Sequence, residues 1–251
     1  MQSDERRQAF KQAYIEARGY WAEFNEGLLE HSPEWLEAYL GYSSTPARCG
    51  PLSARMRELI YVAVDGSTTH LFQAGLEIHI RIALDVGCTA GELIEVLQIA
   101  TMQGLDSVVL GMSILQEELN PQPVGDGPAI AADPVVAASD LLPTREEEQP
   151  WRALMARLSP EWIEALDHLG ATAERTSRLT AQERALIRLA LAASPTHLNA
   201  QAVRAQVRSA LGLGATPEEI AQVFQLVAHL GLHACSEGVP AVVRAAAERA
   251  A

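Results

Sequence analysis

Cysteine is scarce in this chain of 251 residues. The three cysteines, Cys49, Cys88 and Cys235, are far apart and odd in number. Their spacing excludes a Cys-x-x-Cys redox pair and a cysteine-based zinc site, because both need closely spaced thiols. Unpaired thiols suit a reducing compartment, and we therefore expect a cytoplasmic protein.

Basic side chains and long apolar runs are scarce as well. Lys and Arg number 19 against 32 Asp and Glu, which gives a net charge of 19 − 32 = −13. An acidic surface without a Lys/Arg stripe repels the phosphates of nucleic acids and of anionic lipids. No segment approaches the roughly 20 uncharged apolar residues of a membrane span, and the first residues lack a signal-peptide core. We therefore expect neither nucleic acid nor a membrane as a partner.

Sequence motifs for common cofactors are also absent. The chain has no phosphate-binding glycine loop, no dinucleotide-binding fingerprint and no Gly-x-Ser-x-Gly elbow. Among the histidines only His229 and His233 are four residues apart, and they do not form a His-Glu-x-x-His motif. Two histidines alone do not make a catalytic zinc site. The sequence therefore predicts neither a metal ion nor a cofactor.

A tandem duplication is the strongest feature of the sequence. Shifted by 127 residues (159 − 32), the chain realigns without a gap from about Ser32 to Gly111. The match includes Ser-Pro-Glu-Trp at 32 and 159, Thr-His-Leu at 69 and 196, and Gly-Leu at 104 and 231. Residues 1–119 and 151–251 are therefore predicted to be two repeats. Residues 120–150 hold six of the thirteen prolines and no sustained helical period, which predicts a linker.

Each repeat is predicted to be helical throughout. Ser32 and Ser159 precede a proline, an arrangement typical of a helix N-terminus. Three Thr-x-x-Glu stretches, beginning at residues 89, 180 and 216, fit the capping box. Gly87 and Gly214 suit the left-handed position that ends a helix. No run alternates with the period of a strand, so the fold class is all-α.

Two segments of the first repeat resemble a known family. They are Arg-Glu-Leu-Ile-Tyr-Val-Ala-Val from Arg57, and His-x-Arg-x-Ala-Leu-x-x-Gly-x-Thr from His79 to Thr89, followed by Glu-Leu-Ile-Glu-Val-Leu. The second repeat matches through 211–220 and 230–235. These segments resemble the carboxymuconolactone decarboxylase family, which includes the alkylhydroperoxidase D-type proteins. The resemblance implies two helical domains of that type, but it does not fix the reaction, because this fold supports several chemistries.

The redox members of that family depend on a Glu, a Cys-x-x-Cys pair and a His one turn later. Aligned on His79, the two cysteine positions fall on Phe72 and Gly75. Counted from Glu58 instead, they fall on His70 and Gln73, so neither alignment supplies a thiol. Peroxide reduction needs a thiolate and a resolving partner, and that activity is therefore excluded.

Acid–base chemistry remains, with His79 and Glu58 as the catalytic candidates. His79 lies seven and four residues after Phe72 and Gly75, so the three share one stripe of a helix. An imidazole between an aromatic ring and a small residue can act as a general acid or base near neutral pH. Glu58, one helix earlier, can orient that ring. The alternatives are a core histidine and a half-exposed carboxylate that pairs with an arginine of its own helix.

His70 is a third catalytic candidate, because the duplication kept it as His197. It lies nine residues before His79, which would put the two rings on opposite faces of a continuous helix. We therefore expect His70 to precede the helix or to belong to a different pocket. The alternative is a histidine that binds helix-terminal backbone groups.

The repeats differ where chemistry is expected. Glu58 and His79 correspond to Ala185 and Gln206 in the second repeat, whereas Asp106 becomes a histidine. Either two unequal sites or one composite site between the repeats would follow. Arginines can hold a substrate carboxylate through paired hydrogen bonds, although exposed arginines often only cover apolar surface. The candidate substrate-binding residues are Phe72, Arg81, His197, Arg204 and His233.

Together these observations predict a cofactor-free carboxy-lyase that resembles carboxymuconolactone decarboxylases. Its substrate would be a small carboxylated unsaturated lactone or a keto acid, because such acids lose CO₂ with only a conjugated electron sink and a placed proton. The alternative is a non-catalytic helical oligomer that binds a small molecule or acts as a scaffold. The small repeats and the apolar stretch 105–115 also predict a homotrimer with six repeats.

Overall fold

A computed structural model describes residues 4–119 and 150–250. Within these ranges the chain forms helices and no strand, which confirms the all-α prediction. The first half comprises α1 (Asp4–Arg18), α2 (Phe24–His31), α3 (Pro33–Cys49), α4 (Ala54–Asp65), α5 (Gln73–Asp85), α6 (Ala90–Thr101) and α7 (Leu105–Leu119). The second half comprises α8 (Pro150–Leu158), α9 (Pro160–Thr176), α10 (Ala181–Ala193), α11 (Ala200–Gly212), α12 (Pro217–Ala228) and α13 (His233–Ala250). Apart from Pro150, which begins α8, the predicted linker lies outside the described residues.

The duplication is visible in the helix boundaries. Helices α3, α5 and α6 recur as α9, α11 and α12 with each first and last residue shifted by the same 127 positions. The 3₁₀ turn at Met102–Gly104, which precedes α7, recurs as His229–Leu232 before α13. The tandem duplication of a helical unit is therefore confirmed.

Helices begin and end where the local sequence signals predict. All three capping boxes form: a threonine accepts a hydrogen bond from the main chain of a glutamate, whose carboxylate accepts one in return. Gly87 and Gly214 have φ angles of 95° and 90°, the left-handed region that favours glycine. Helices α3 and α9 begin at proline as predicted, although Ser32 and Ser159 form no side-chain cap bond.

One hydrophobic core serves both halves. Helices α4 and α10 pack against each other at its centre, and their apolar side chains are almost fully buried. Helices α6 and α12 cover this pair from the two sides. Each half thus completes the core of the other, and the pair buries more apolar surface than one repeat of this size could bury alone.

The outer helices of each half pack on the opposite half. Helix α7 packs on α8, and α13 packs on α2. Thr69 and its counterpart Thr196 meet where the halves join, with 3.0 Å between their hydroxyl oxygens. This exchange brings the beginning of α13 to the loop between α4 and α5, where the candidate site lies.

A buried polar side chain holds the turn before the central helix in each half. Gln222 accepts a hydrogen bond from the Leu52 N–H at 2.7 Å and donates one to the Pro46 carbonyl at 2.6 Å. Glu95, its counterpart, accepts from the Leu179 N–H at 3.3 Å. Because the partners are backbone groups without access to water, these side chains contribute directly to stability.

Two continuous helical stretches, Ala90–Leu119 and Pro217–Ala250, are long and apolar enough to cross a membrane by length and composition. The core helices of soluble proteins pass the same test, so this finding is weak evidence for a membrane. About a third or less of each apolar window is buried, 33% and 28%. The two stretches therefore present apolar surface that the described chain leaves uncovered.

Candidate active site between the repeats

Helix α4 carries three polar side chains on one face. Glu58, Tyr61 and Asp65 are separated by three and four residues, the spacing that aligns side chains along a helix. The helix begins after Ser53, whose hydroxyl accepts a hydrogen bond from the backbone N–H of Met56. The remaining side chains of the helix lie mostly in the core, so these three groups are held on a rigid element.

Glu58 and His79 form a buried pair. The Nδ1 atom of His79 lies 2.7 Å from the Oε2 atom of Glu58, and the side chains are only 9% and 12% exposed. His79 belongs to the buried stripe of α5 that also contains Gly75 and Ala83. The structure thus brings the predicted pair together. With Nδ1 held by the carboxylate, Nε2 is the nitrogen left to exchange a proton with a substrate.

Glu58 does not pair with the arginines of its own helix. Arg55 instead contacts the capping glutamates Glu92, at 2.5 Å, and Glu183. Arg57 donates to the Leu52 carbonyl at 2.7 Å. The alternative of a half-exposed carboxylate with an arginine partner is therefore wrong.

Tyr61 links the pair to the second repeat. Its ring stacks on His79 with 4.3 Å between ring centres, and its hydroxyl lies 2.7 Å from Nδ1 of His229. Burial raises the pKa of Tyr61 to about 12. Burial, with the charges of Arg18 and His79, lowers the pKa of His229 to about 3. Both groups are therefore neutral at pH 7, and a hydrogen bond joins the Tyr61 hydroxyl to the imidazole.

Arg18 enters this region from α1. Its guanidinium lies 5.8 Å from the ring centre of Tyr61 and 5.9 Å from that of Tyr20, whose ring edge contacts His79. It donates to the Ser43 carbonyl at 3.1 Å, whereas its buried Nε has no hydrogen-bond partner within the described residues. A positive charge with an unused donor therefore lies beside the acid–base pair.

A second polar group adjoins the pair at the junction of the repeats. Nε2 of His70 lies 2.6 Å from Nδ1 of His233, and Nε2 of His233 lies 3.9 Å from Asp65. The ring of Phe72 stacks on His233 at 3.9 Å. His70 is in the turn before α5, where its backbone N–H donates a hydrogen bond to the Ser67 carbonyl. The expectation that His70 precedes the helix is therefore confirmed.

Burial controls the charges in this second group. It lowers the pKa of His70 and brings that of His233 to about 4, with smaller contributions to His233 from His70 and His79. It raises the pKa of Asp65 to about 7, with a lowering effect of His79 and a raising effect of Glu58. Because Asp65 shares one face of α4 with Glu58 and Tyr61, the two clusters adjoin, and we treat them as one candidate composite site.

Comparison with known proteins agrees with this arrangement. The sequence profile of the carboxymuconolactone decarboxylase family matches residues 33–116 and 159–248, which include both repeats. The chain belongs to this family. A protein from Burkholderia xenovorans LB400, provisionally assigned as a gamma-carboxymuconolactone decarboxylase subunit, has a sequence 26% identical to this chain. Its crystal structure superposes on this chain with a TM-score of 0.82. The superposition covers 97% of this chain and 98% of that chain. No curated protein gives a significant match.

The thiol positions of the family's redox members carry no sulfur here. Phe72 is the residue before α5, and Gly75 lies in the first turn of that helix. A Cβ atom built on Gly75 would lie 2.3 Å from Oδ2 of Asp65, so the glycine leaves the space that this carboxylate occupies. The three cysteines are free and lie elsewhere.

Three predicted binding residues lie away from the pair. The Arg81 side chain is 74% exposed beside Glu77, and Arg204 is exposed on α11. His197 lies in the second half, where its Nε2 is 2.6 Å from Asp106. Arg81 follows His79 by two residues, so their side chains lie about 200° apart around the helix. For these residues substrate binding stays a prediction.

A further cavity lies at the junction of the repeats, between α6 and α7 of the first half and α9 and α10 of the second half. Its volume is about 660 Å³, and it is lined by residues that include Met102 and Arg188. These two correspond to His229 and Tyr61 under the shift of 127 residues. The cavity is therefore the counterpart, at the equivalent junction, of the region around Tyr61 and His229, and its lining does not include the acid–base pair.

Four residues of the site were missed by sequence reasoning. They are Arg18, Tyr61, Asp65 and His229. The spacing of Glu58, Tyr61 and Asp65 along α4 was a usable signal, because three polar groups on one face of an apolar helix are unusual. No comparable signal links Arg18 to the site, whereas His229 precedes His233, a predicted binding residue, by four residues.

Proposed function

We propose that this family member is a lyase that removes CO₂ from a small carboxylated unsaturated lactone or keto acid. The proposal rests on the buried pair of Glu58 and His79, with 2.7 Å between the carboxylate and the imidazole. A carboxylate that accepts from Nδ1 orients the ring and stabilises its protonated form. Such a pair can deliver one proton to one carbon atom, which is what this reaction needs from a protein.

The reaction balances with protein groups and water. The bond between the carboxylate carbon and the ring or chain carbon breaks, and its electron pair enters the conjugated system as CO₂ leaves. The electron-rich carbon then takes a proton from Nε2 of His79, and a water molecule later restores that proton. Tyr61, stacked on the imidazole, limits the positions that the ring can adopt.

Arg18 is our candidate for holding the substrate carboxylate. Its charge lies next to Tyr61 and Tyr20, which contact His79, and its Nε is buried without a partner in the described ranges. Arginine is suited to this role because its planar donors match a carboxylate. Arg81 and Arg204 are exposed, so they suit a role at the entrance rather than at the reacting carbon.

The alternative function is a helical oligomer that binds a small molecule without turnover. One observation favours it: the cavity of about 660 Å³ is lined by residues of both halves and does not include the acid–base pair. Binding in that cavity would need no catalysis. A protein that only binds a small molecule would have no evident use for the buried pair of Glu58 and His79, because a buried ionisable pair is rarely the most stable filling of a core.

The test uses two single variants, His79→Gln and Glu58→Gln. Glutamine is buried at the equivalent position of the second half, Gln206, so the first variant is expected to fold with nearly unchanged melting temperature. Against a panel of carboxylated lactones and keto acids, CO₂ release should fall at least about 100-fold in both variants. His168→Gln, which changes an exposed histidine, is the matched control. More than about half of the wild-type activity in His79→Gln would refute the assignment.

We also propose that the protein is a cytoplasmic homotrimer. Leu110, Ile114 and Leu119 of α7 are 60%, 48% and 59% exposed, which leaves an apolar face to cover. Light scattering should give about 81 kDa, three times the chain mass of 27.1 kDa. A stable species of one chain mass at micromolar concentration would contradict the trimer.

A further inference from the structure

The cluster of Asp65, His70 and His233 has the donor set of a metal site. One ligand atom from each lies within 4.8 Å of the other two. Asp65 comes from the end of α4, His70 from the loop that follows it, and His233 from the start of α13 in the other repeat. Two imidazoles and one carboxylate are the protein ligands of many catalytic zinc and iron(II) sites.

The carboxylate of Asp65 lacks the partners that a buried charge requires. The residue is 1% exposed, and its Oδ2 atom has no hydrogen-bond partner in the part of the chain that the structure describes. Its main chain is fixed, because its carbonyl accepts from the Phe72 N–H at 2.9 Å. Gly75 leaves the room for Oδ2. Burial of an unpaired carboxylate oxygen is costly, so its retention points to a ligand that is itself positive.

The distances are compatible with one ion after small side-chain rotations. Zinc ligands stand about 2.0–2.2 Å from the metal, which puts tetrahedral ligand atoms about 3.4 Å apart. Nε2 of His70 lies 2.6 Å from Nδ1 of His233, whereas Oδ1 of Asp65 lies 3.9 Å from the other nitrogen of that ring, Nε2. One ion takes only one nitrogen of His233, and with one ligand atom per residue the three atoms lie within 4.8 Å of one another, so a turn of the His233 ring is part of the adjustment. The proton of the hydrogen bond between the two imidazoles would move to the other nitrogen of the ring that carries it, which frees the first nitrogen for the ion.

We propose that Asp65, His70 and His233 bind one divalent metal ion of the zinc and iron(II) class at the junction of the repeats. Three protein ligands leave at least one coordination position for water or a substrate oxygen. The sequence predicted no metal because its ligands, 163 residues apart for the two histidines, are brought together only by the packing of α13. The proposal concerns binding alone and does not depend on the lyase activity.

The equivalent junction, formed by the loop before α11 and by α7, contains a natural control. His197 corresponds to His70, and Asp106 to His233, and the two lie 2.6 Å apart. The counterpart of Asp65 is Ala192, which offers no ligand. This pair therefore has two ligands instead of three, and it should not retain an ion under the same conditions.

The experiment measures zinc retained by the full-length chain. Protein treated with a chelator is dialysed against Zn²⁺ and its metal content determined, with Co²⁺ and its visible absorption as a second probe. We expect one ion per wild-type chain. Asp65→Asn, which keeps the side-chain shape, and His233→Gln should each weaken binding at least about tenfold. His197→Gln should bind as the wild type does.

Two results would overturn the proposal. One is a wild-type chain that retains no more Zn²⁺ than Asp65→Asn, with both folded by circular dichroism. The other is a His197→Gln variant that loses as much binding as His233→Gln. If His233→Gln does not fold, Asp65→Asn and the Co²⁺ spectrum of the wild type decide the matter. Because the assay reads metal content, its failure leaves the proposed lyase activity to its own test.

Discussion

Gly75→Ala tests whether Asp65 shapes the composite site. A Cβ atom at position 75 would lie 2.3 Å from Oδ2 of Asp65 and 2.6 Å from the Phe72 ring. The Phe72 ring is half-buried and can rotate, whereas Asp65 is only 1% exposed. The clash with Asp65 therefore decides the outcome.

Two effects of opposite sign set the magnitude. Overpacking a buried site costs typically about 1–3 kcal/mol. Alanine in a helix is favoured over glycine by about 1 kcal/mol, and Gly75 is the third residue of α5. The packing cost is the larger over most of its range, so Gly75→Ala should lower the free energy of unfolding by up to about 2 kcal/mol.

The second half predicts what happens without the carboxylate. There Ala202 and Ala192 stand at the positions of Gly75 and Asp65, and both are buried. In an Asp65→Ala background, Gly75→Ala should therefore be neutral or stabilise by up to about 1 kcal/mol. The resulting coupling energy is about 2 kcal/mol, within the range of contacting residues.

Urea denaturation of the four proteins of this cycle measures the coupling. Ala202→Gly in the second half is the matched control, and it should destabilise by about 1 kcal/mol because it loses helix propensity. Equal effects of Gly75→Ala in both backgrounds, additive within about 0.5 kcal/mol, would refute the steric argument.

Three further predictions follow from other parts of the chain. The pKa of His229 falls from 6.5 to about 3 on folding, chiefly through burial, so the unfolded state takes up the proton first as the pH drops. The free energy of unfolding therefore keeps the full contribution of neutral His229 above pH 6.5. Between pH 6.5 and about pH 3 it decreases by up to about 1.4 kcal/mol per pH unit. His229→Gln should show a shallower pH dependence of the unfolding free energy, and identical slopes would contradict this. Gln222→Leu leaves two buried backbone groups without partners and should cost about 2–6 kcal/mol by urea denaturation; a loss under about 1 kcal/mol would show that water replaces the amide. Replacement of all three cysteines by alanine should leave CO₂ release unchanged, whereas dithiol-dependent hydroperoxide turnover by the wild type would disprove thiol-free chemistry.

Much of the fold could be predicted from the sequence because its signals are local. A capping box needs a threonine and a glutamate three residues apart, and a left-handed helix end needs a glycine, so both are visible in short segments. The duplication added a second copy of each signal at a constant shift. The same locality explains the pair of Glu58 and His79, whose residues lie on consecutive helices that pack against each other.

The arginine that lies beside the acid–base pair was harder to predict. Arg81 and Arg204 have the right chemistry, but their exposure depends on which face of α5 and α11 meets the core. Arg18 lies some forty residues before Glu58 and reaches Tyr61 only because α1 packs on α3. Chemistry alone therefore identified a type of residue, and packing brings another member of that type, Arg18, next to Tyr61.

By itself the sequence determined the all-α class, the two repeats, the helix boundaries, the family and the loss of the redox thiols, because each depends on residues that are neighbours along the chain. Only the tertiary structure decided that His229 meets Tyr61, 168 residues away, and that His233 meets His70 beside Asp65. These contacts form because α13 packs on the opposite half, and that exchange follows from burying one core shared by both repeats rather than from any local signal.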